Sequence, residues 1–312
     1  MPNAKPYRTE AGRLVLETAI GKYPNTEALH AGRIASDLIM LDVQDVPVII
    51  RAFASMVREL RYAVSEMALA TFLQAKAYDK QLVLLPVVIA ARFQQQAFLC
   101  RTDSDIRGPQ DLVGRRVGVR AYSQTTGIWL RGILTDEHGV RPQDVRWITF
   151  EDAHVAEYRD PPWAERSLPG QDLVTMLRNG ELDAIIVGND VPDDPVFRTV
   201  FPDPDASAEI FWRKHGFVPV NHMLTVRRDV AQTRPDAIGE LIRLFREAKA
   251  AAAAPNPDGR DPLVVGRAAL EPAIRLGLRY TTEQGLLPRS LEIEDVWEGL
   301  PVGLDLERSN PR

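Results

Sequence analysis

The chain has 312 residues, of which 45% are apolar and 26% are charged, and its formal net charge is −5. A chain of this length buries enough surface to fold without disulfides, and its single cysteine, Cys100, excludes an internal disulfide and a cysteine-based zinc site. The charges are scattered and mildly acidic, which excludes the basic surface typical of nucleic-acid binding, so we expect no nucleic-acid partner.

Signals for export or membrane insertion are missing from the sequence. The first twenty residues contain no apolar stretch long enough for a secretory signal. The longest apolar run covers residues 82–91, about half of a membrane span, and it contains Pro86. We therefore expect a cytoplasmic protein with no membrane partner.

Short apolar, β-branched runs alternate with helical patterns along the chain, which predicts an α/β fold. Strands are predicted over residues 14–18, 34–41, 62–65, 82–88, 97–100, 116–119, 145–150, 184–187 and 218–226. Helices are predicted over residues 48–58, 67–78, 125–138, 171–179 and 235–253. The Pro- and Asp-rich segments 161–169 and 191–205 are predicted to be loops.

The chain is predicted to form two lobes around a cleft. No low-complexity linker separates two autonomous domains, so we expect the lobes to exchange chain at crossovers near residues 119–122 and 218–221. The first lobe then contains residues 1–120 and 222–312, and the second contains residues 121–221. Arginines recur on a helical pattern in the last sixty residues, which either complete the first lobe or form a contact in a homo-oligomer; both alternatives stay open.

Two segments, 56–66 and 176–187, resemble each other as a helix end, a polar turn and a buried strand. Polar residues follow each strand, namely Ser65 and Glu66 in one case and Gly188, Asn189 and Asp190 in the other. Ligands of open α/β sheets bind at the carboxyl ends of strands, so these residues are candidates for the two sides of the cleft. The alternative is that any two such units look this similar.

A candidate anion site follows the predicted strand 116–119. Tyr122, Ser123, Gln124, Thr125 and Thr126 open the next predicted helix, whose first N–H groups and dipole favour a carboxylate or a phosphate. The alternative is plain capping of the helix by Ser and Thr side chains.

Ionisable residues are dense in segment 151–160, directly after another predicted strand. His154 and Glu157 could supply an acid–base pair there, and Arg159 could hold an anionic substrate. A solvated loop with surface ion pairs is the alternative.

His222 lies where the chain is predicted to return to the first lobe, and it is a candidate proton carrier with Asn221 beside it. A structural histidine is the alternative. His154, His215 and His222 show none of the spacings typical of a metal site, so no metal is predicted. No dinucleotide-binding glycine pattern is present either, and we expect no cofactor.

Two further candidates follow predicted apolar strands. Either the positive dipole end of the next helix stabilises the Glu66 carboxylate, or the Glu66 side chain projects into the cleft. Arg92 and Phe93 suit a flat aromatic acid by ion pairing and stacking, whereas an exposed arginine beside a core phenylalanine is the alternative.

Several of these residues fall within a resemblance to a known family. The chain resembles the 4,5-dihydroxyphthalate decarboxylase family over about residues 10–250, and the resemblance is carried by Ala121-Tyr122, Thr125, and the segments 108–118, 127–134 and 217–222, with Glu66 and Arg92-Phe93. It implies an α/β, two-lobed fold like that of type II periplasmic binding proteins, with a central ligand cleft. It also implies a lyase that acts in the degradation of aromatic compounds such as phthalates.

Cofactor-free decarboxylation of a hydroxylated aromatic acid needs a proton for the ring carbon, a base near a ring hydroxyl and a group that holds the carboxylate. We expect residues 122–126 and Arg92 to hold the carboxylate. His222 or His154 would donate the proton, and Glu66 or Glu157 would orient the histidine or a hydroxyl. The alternative is a solute-binding protein of an ABC-type transporter, which would bind an organic acid without chemistry.

Overall fold

Two six-stranded sheets form the framework of the protein, whose computed structural model describes residues 6–252 and 258–304. The first sheet contains β1 (Tyr7–Glu10), β2 (Arg13–Ala19), β3 (Ile39–Val43), β4 (Val64–Ala68), β5 (Leu82–Ala91) and β12 (Val220–Arg227). The second contains β6 (Phe98–Arg101), β7 (Arg116–Val119), β8 (Arg146–Thr149), β9 (Ala164–Arg166), β10 (Ala184–Ile186) and β11 (Phe197–Thr199).

Helices pack around both sheets. They are α1 (Pro24–His30), α2 (Ile50–Glu59), α3 (Leu69–Ala77), α4 (Thr125–His138), α5 (Leu173–Arg178), α6 (Pro204–His215), α7 (Arg228–Thr233), α8 (Pro235–Ala252), α9 (Arg267–Glu283) and α10 (Ile293–Trp297). No helix among the described residues is both long enough and apolar enough to cross a membrane.

The strand order brings distant parts of the chain together. In the first sheet the order is β1-β2-β4-β12-β5, with β3 also beside β2, and β12 runs antiparallel to both β4 and β5. In the second sheet the order is β11-β6-β10-β7-β8-β9, and the four strands from β10 to β9 are parallel. The late strand β12 therefore lies in the middle of a sheet built mainly from the first ninety residues.

The sheet memberships correct the predicted division into lobes. β6 and β7 belong to the second sheet, although they precede residue 121, because both pair with β10. The chain therefore passes from the first sheet to the second at residues 92–97 rather than near residues 119–122. It returns at residues 200–219, immediately before β12.

Several predicted elements are confirmed, and β7 and α4 have the predicted bounds. The strand predicted from residue 34 begins only at Ile39, and the helix predicted from residue 67 begins at Leu69, because the preceding residues extend β4. β9 and β11 were predicted to be loops; each has three residues and pairs at an edge of its sheet. The helix predicted over residues 235–253 is α8, and its predicted last residue, Ala253, lies outside the described residues.

The core is continuous between the two sheets. The largest cluster of buried apolar side chains contains Met67 and Met223 from the first sheet, and Phe98 and Trp147 from the second. Every residue of α3 is buried, and this helix contacts β4, β12 and α4. The first turn of α3 is thereby held between the sheets, where the site is found.

Candidate functional site

A cavity of about 770 Å³ lies between the two sheets. Its walls are the first turns of α2, α3, α4 and α5, the carboxyl end of β10, the start of β12 and the segment that follows β8. Both lobes therefore contribute side chains to one site.

The start of α4 is the helix N-terminus at the cavity that is suited to an anion. In α2 the N–H groups of Arg51 and Ala52 donate to the carbonyls of Val48 and Ile49, and in α3 the Ala70 N–H donates to the Thr125 hydroxyl. The α5 helix is capped by the side chain of Asp172. The N-cap side chain of α4, that of Gln124, does not cap its helix, so the first N–H groups and the positive end of the α4 dipole favour a carboxylate.

The residues predicted at the start of α4 divide into two groups. Those from Ser123 to Thr126 line the cavity. Tyr122 does not: its ring is fully buried, and its hydroxyl accepts a hydrogen bond from Trp163 Nε1 at 2.7 Å. The side chain of Tyr122 therefore supports α4 from inside the core, and its predicted contact with the substrate is wrong.

His222 and Glu66 form a hydrogen-bonded pair at the cavity wall. Antiparallel pairing places His222 opposite Ala68 and Leu224 opposite Glu66, so the two functional side chains are diagonal neighbours on one face of the sheet. His222 Nδ1 lies 2.6 Å from Glu66 Oε1. Glu66 is completely buried, whereas His222 lines the cavity. Since Nδ1 bonds the carboxylate, Nε2 is the ring nitrogen left for a ligand.

Two further groups hold the carboxylate of Glu66. The Tyr23 hydroxyl donates to Oε1 at 2.9 Å, and the backbone N–H of Gly21 donates to Oε2 at 2.8 Å. Together with His222 these groups provide hydrogen-bond partners for both oxygens of the buried carboxylate.

His154 is the second histidine at the cavity. Its Nδ1 lies 2.8 Å from the Thr71 hydroxyl, and the ring of Phe53 packs edge-on against both His154 and His222, with centroids 5.6 Å and 5.2 Å away. Burial, followed by the charges of Arg120, Arg58 and His222, lowers the pKa of His154 to about 3. His154 is therefore a neutral imidazole near pH 7.

Arg92 lies next to the cavity at the end of β5. Its Nη2 donates to the Gly188 carbonyl at 2.9 Å and is 3.5 Å from the Thr126 hydroxyl, while its Nε is buried without a partner among the described residues. Burial lowers the pKa of Arg92, and no described carboxylate forms an ion pair with it. A half-buried guanidinium of this kind is suited to an incoming anion.

Asn189 and Asn221 both line the cavity, on opposite lobes. The Asn221 amide oxygen accepts a hydrogen bond from Gln94 Nε2 at 2.8 Å, so its side chain is held in place. Phe93, in contrast, packs against Phe211 with centroids 6.4 Å apart and does not line the cavity. The predicted stacking of Phe93 on a substrate is wrong, because its ring belongs to the core.

Glu157 and Arg159 lie outside the cavity, which corrects their predicted roles. Glu157 is exposed and forms an ion pair with Lys80 at 2.5 Å. Arg159 folds back on the carbonyls of Ala156 and Tyr158, at 2.7 Å each. Of residues 151–160, Glu151, Asp152 and His154 line the cavity. Beyond them Val155 and Tyr158 are buried in the core, whereas Glu157 and Arg159 are exposed.

Sequence reasoning missed Tyr23, Phe53 and Thr71. Thr71 had a usable signal, because it belongs to the first turn of a helix predicted to begin at the end of a strand. Tyr23 and Phe53 had none, since their contacts with Glu66 and with the histidines depend on the tertiary structure. In the part of the chain that the structure describes, no group of three or more His, Cys, Asp or Glu side chains could hold a metal ion.

The chain is similar in sequence and in fold to known proteins. Residues 60–159 match the family described as NMT1/THI5 like. The chain is 28% identical over 264 residues to a Comamonas testosteroni protein named 4,5-dihydroxyphthalate decarboxylase, a match that covers 77% of this chain and 76% of that protein. A Pseudomonas putida protein of the same name is 27% identical over 219 residues, covering 64% and 82% of the two chains.

In structure, the chain is similar to the periplasmic aliphatic sulphonate binding protein SsuA from Escherichia coli. The TM-score is 0.57 at 16% sequence identity, and the match covers 92% of this chain and 98% of that one. The α/β, two-lobed fold of the periplasmic-binding-protein type is therefore confirmed. The resemblance seen in the sequence is confirmed as well, since the chain is similar to two proteins named 4,5-dihydroxyphthalate decarboxylase.

Proposed function

We propose that the protein is a cofactor-free decarboxylase of a hydroxylated aromatic carboxylic acid of the phthalate type. The names of its relatives support this reaction class. The observation that carries the proposal is the histidine His222 at the cavity wall, hydrogen-bonded at 2.6 Å to the fully buried carboxylate of Glu66. A solute-binding site needs affinity alone, whereas a histidine backed by a buried carboxylate is suited to carrying a proton.

Binding uses the anion-favouring side of the cavity. The uncapped start of α4 and the guanidinium of Arg92 would hold the carboxylate that the substrate retains. Phe53, Ile49 and Ile50 offer apolar surface to the aromatic ring. These contacts would place the ring between the two histidines.

The chemical step consumes one proton and releases carbon dioxide. The imidazolium of His222 would transfer its Nε2 proton to the ring carbon that bears the leaving carboxylate. The bond between that carbon and the carboxylate then breaks, its electron pair restores the aromatic ring, and a proton from water recharges His222. Glu66 stabilises the imidazolium that starts the cycle.

His154 would assist from the other side of Phe53. A ring hydroxyl must push electrons toward the carbon that is protonated, and a hydrogen bond from that hydroxyl to a neutral imidazole increases this push. The low pKa of His154, about 3, which is due first to burial, keeps it neutral and able to accept such a bond.

The test is direct conversion of candidate substrates. Chelator-treated protein is incubated in D₂O with 4,5-dihydroxyphthalate and with a panel of hydroxylated and unhydroxylated aromatic acids, while carbon dioxide release and absorbance are followed. We expect one carbon dioxide per substrate, deuterium at the vacated ring carbon, and no reaction of phthalate itself, which lacks the hydroxyl.

The matched variants are His222→Gln and His138→Gln. Loss of a general acid costs about 10²- to 10⁴-fold in turnover, so we expect at least tenfold lower turnover in His222→Gln with an unchanged melting temperature. His138 lies on α4 outside the cavity, and its variant should keep full activity. Near-normal turnover in folded His222→Gln would remove the proposed proton donor.

A solute-binding function is the second candidate, favoured by the similarity to a sulphonate binding protein and by the uncapped start of α4. The same experiment separates the two. An acid that raises the melting temperature but stays intact would support binding without catalysis.

A further inference from the structure

Tyr23 is linked to His222, the proposed proton carrier, because both bond to the same carboxylate oxygen of Glu66. Its hydroxyl donates to Oε1 of Glu66 at 2.9 Å, and this is the same oxygen that lies 2.6 Å from His222 Nδ1. Burial and the charge of Glu66 raise the pKa of Tyr23, so its hydroxyl stays protonated and acts as a donor at every working pH. Tyr23 and His222 therefore share the negative charge of one oxygen atom.

The turn that carries Tyr23 is built to deliver this hydroxyl. The Tyr23 N–H donates to the Thr26 hydroxyl at 2.9 Å, and that hydroxyl donates to the Gly21 carbonyl at 2.7 Å. His30 Nε2 lies 3.1 Å from the same carbonyl. These bonds fix the turn between β2 and α1 against the sheet.

Gly21 leaves the space that the Tyr23 ring occupies. A Cβ atom on Gly21 would lie 2.5 Å from both Cζ and the hydroxyl oxygen of Tyr23, far inside contact distance. The backbone of Gly21 does not adopt the left-handed conformation that favours glycine. Residue 21 must therefore be glycine to leave room for the Tyr23 ring. The backbone N–H of Gly21 also donates a hydrogen bond to Oε2 of Glu66 at 2.8 Å.

We propose that Tyr23 is a positioning residue that weakens the attraction between Glu66 and the His222 proton. The missing side chain of Gly21 leaves room for the Tyr23 ring beside Glu66. A carboxylate oxygen with two donors attracts each of them less than an oxygen with one. With Tyr23 in place, the His222 imidazolium releases its proton to a substrate more readily. This inference rests on the proposed function, since it concerns the control of the same proton.

Other titratable groups around the trio stay the same when Tyr23 is changed. They are His30, which faces Gly21 from α1, and His154, which lies across Phe53. Arg120, directly after β7, and Arg58 on α2 act on His154. A difference between wild type and a Tyr23 variant therefore reports on the shared oxygen.

The test compares Tyr23→Phe with wild type by two readouts. In the pH profile of kcat/KM, we expect the alkaline limb to move up by about half a pH unit or more, because the imidazolium persists to higher pH. We expect kcat to fall about two- to tenfold while KM changes less than about twofold, since the ring keeps its place. In the proton NMR spectrum, the hydrogen-bonded His222 Nδ1 proton, assigned by its loss in His222→Gln, should move further downfield.

Tyr280→Phe is the matched control. The Tyr280 hydroxyl also donates to a carboxylate at 2.9 Å, that of Asp136 on α4, outside the cavity. It should leave the pH profile and the resonance unchanged. Gly21→Ala should reproduce the changes of Tyr23→Phe, because the added methyl group displaces the Tyr23 ring from Glu66. The double variant should change little more, because the ring that is displaced in it has no hydroxyl to lose.

The outcomes separate the two proposals. If folded Tyr23→Phe leaves the resonance and the pH profile at their wild-type positions, Tyr23 does not act on His222 and the inference is overturned. If the resonance moves but no aromatic acid is converted by the wild type, the inference stands and the decarboxylase function fails. The NMR readout uses the ligand-free protein and needs no substrate.

Discussion

The two histidines of the cavity have opposite surroundings. His222 is hydrogen-bonded to the buried carboxylate of Glu66. His154 faces a hydroxyl, and burial and the charges of nearby arginines lower its pKa, which favours a neutral ring. Different surroundings suit two residues of one type to separate acid and base roles. The proposal that His222 is the acid, a choice that the sequence left open, rests on this difference.

The neutral state of His154 should make the stability of the protein depend on pH. The folded pKa is about 3 and the ordinary value is 6.5, so the unfolded chain binds the proton first as the pH falls. The stabilisation is complete above pH 6.5 and is lost toward pH 3, with a slope of up to about 1.4 kcal/mol per pH unit.

Urea unfolding of wild type and His154→Asn between pH 4.5 and pH 7.5, a window of about three units around the ordinary histidine pKa, checks this expectation. The variant keeps a polar group near Thr71 but cannot take up the proton. Its free energy of unfolding should fall less steeply with acidification than that of wild type. Equal slopes would contradict a buried neutral His154.

At the scale of the element, α4 is the part that joins the cavity to the core. Its first turn lines the cavity, and Arg131, one turn further along, is fully buried beneath it. Arg131 Nη2 donates to the Tyr122 carbonyl at 2.5 Å and Nε donates to Gln284 at 2.7 Å, while its guanidinium lies 4.0 Å from the centre of the Tyr122 ring. Burial lowers the pKa of Arg131. We infer that Arg131 fixes the chain at the start of α4.

Arg131→Lys should therefore affect both stability and binding. Lysine cannot reach both acceptors with one ammonium group, so a buried oxygen loses its donor, at a cost of about 1–3 kcal/mol in unfolding free energy. We also expect a higher KM for the acid, because the first turn of α4 is less firmly held. Urea unfolding and steady-state kinetics measure the two effects.

Arg141→Lys is the control for this substitution. Arg141 is exposed and pairs with Asp144 three residues away, so its variant should stay within about 0.5 kcal/mol of wild type. If Arg131→Lys behaved like Arg141→Lys, the buried guanidinium would not be what holds the start of α4.

In the molecule as a whole, the segment 151–160 after β8 forms hydrogen bonds and an ion pair with the opposite lobe. Arg58 on α2 donates to the carbonyls of His154 and Ala153 at 2.8 Å and 2.9 Å. Lys80 pairs with Glu157, and the Ala70 N–H donates to the Thr125 hydroxyl at 3.2 Å. These contacts link the two lobes across the cavity, and we expect them to favour a closed cleft.

Arg58→Ala should shift the molecule toward an open cleft. Because Arg58 makes two charge-assisted bonds across the lobes, we expect KM to rise about three- to tenfold and the melting temperature to change little. Arg61→Ala is the control, since the ion pair of Arg61 with Glu17 stays within the first lobe. Equal KM values for the two variants would show that Arg58 does not hold the cleft closed.

The sequence predicted the elements best where the pattern is local. α4 is found at the predicted residues because its apolar face is long and because Gly139, with a φ of 69°, ends it in the left-handed conformation. The three-residue strands β9 and β11 have no such pattern, and only their pairing with β8 and β6 makes them strands. The lobe boundary was misplaced for the same reason, since sheet membership is decided by partners distant in the chain.

The sequence alone predicts the α/β alternation, the start of α4 and candidate side chains for the proposed chemistry, among them Glu66, His154 and His222. Which of these side chains meet depends on the tertiary structure. Glu66 and His222 are 156 positions apart, and the register of β4 against β12 makes them neighbours. The same packing turns Glu157 outward to Lys80. The physical reason is that periodicity and chemical type are properties of neighbouring residues, whereas register and crossover depend on the sum of many distant contacts.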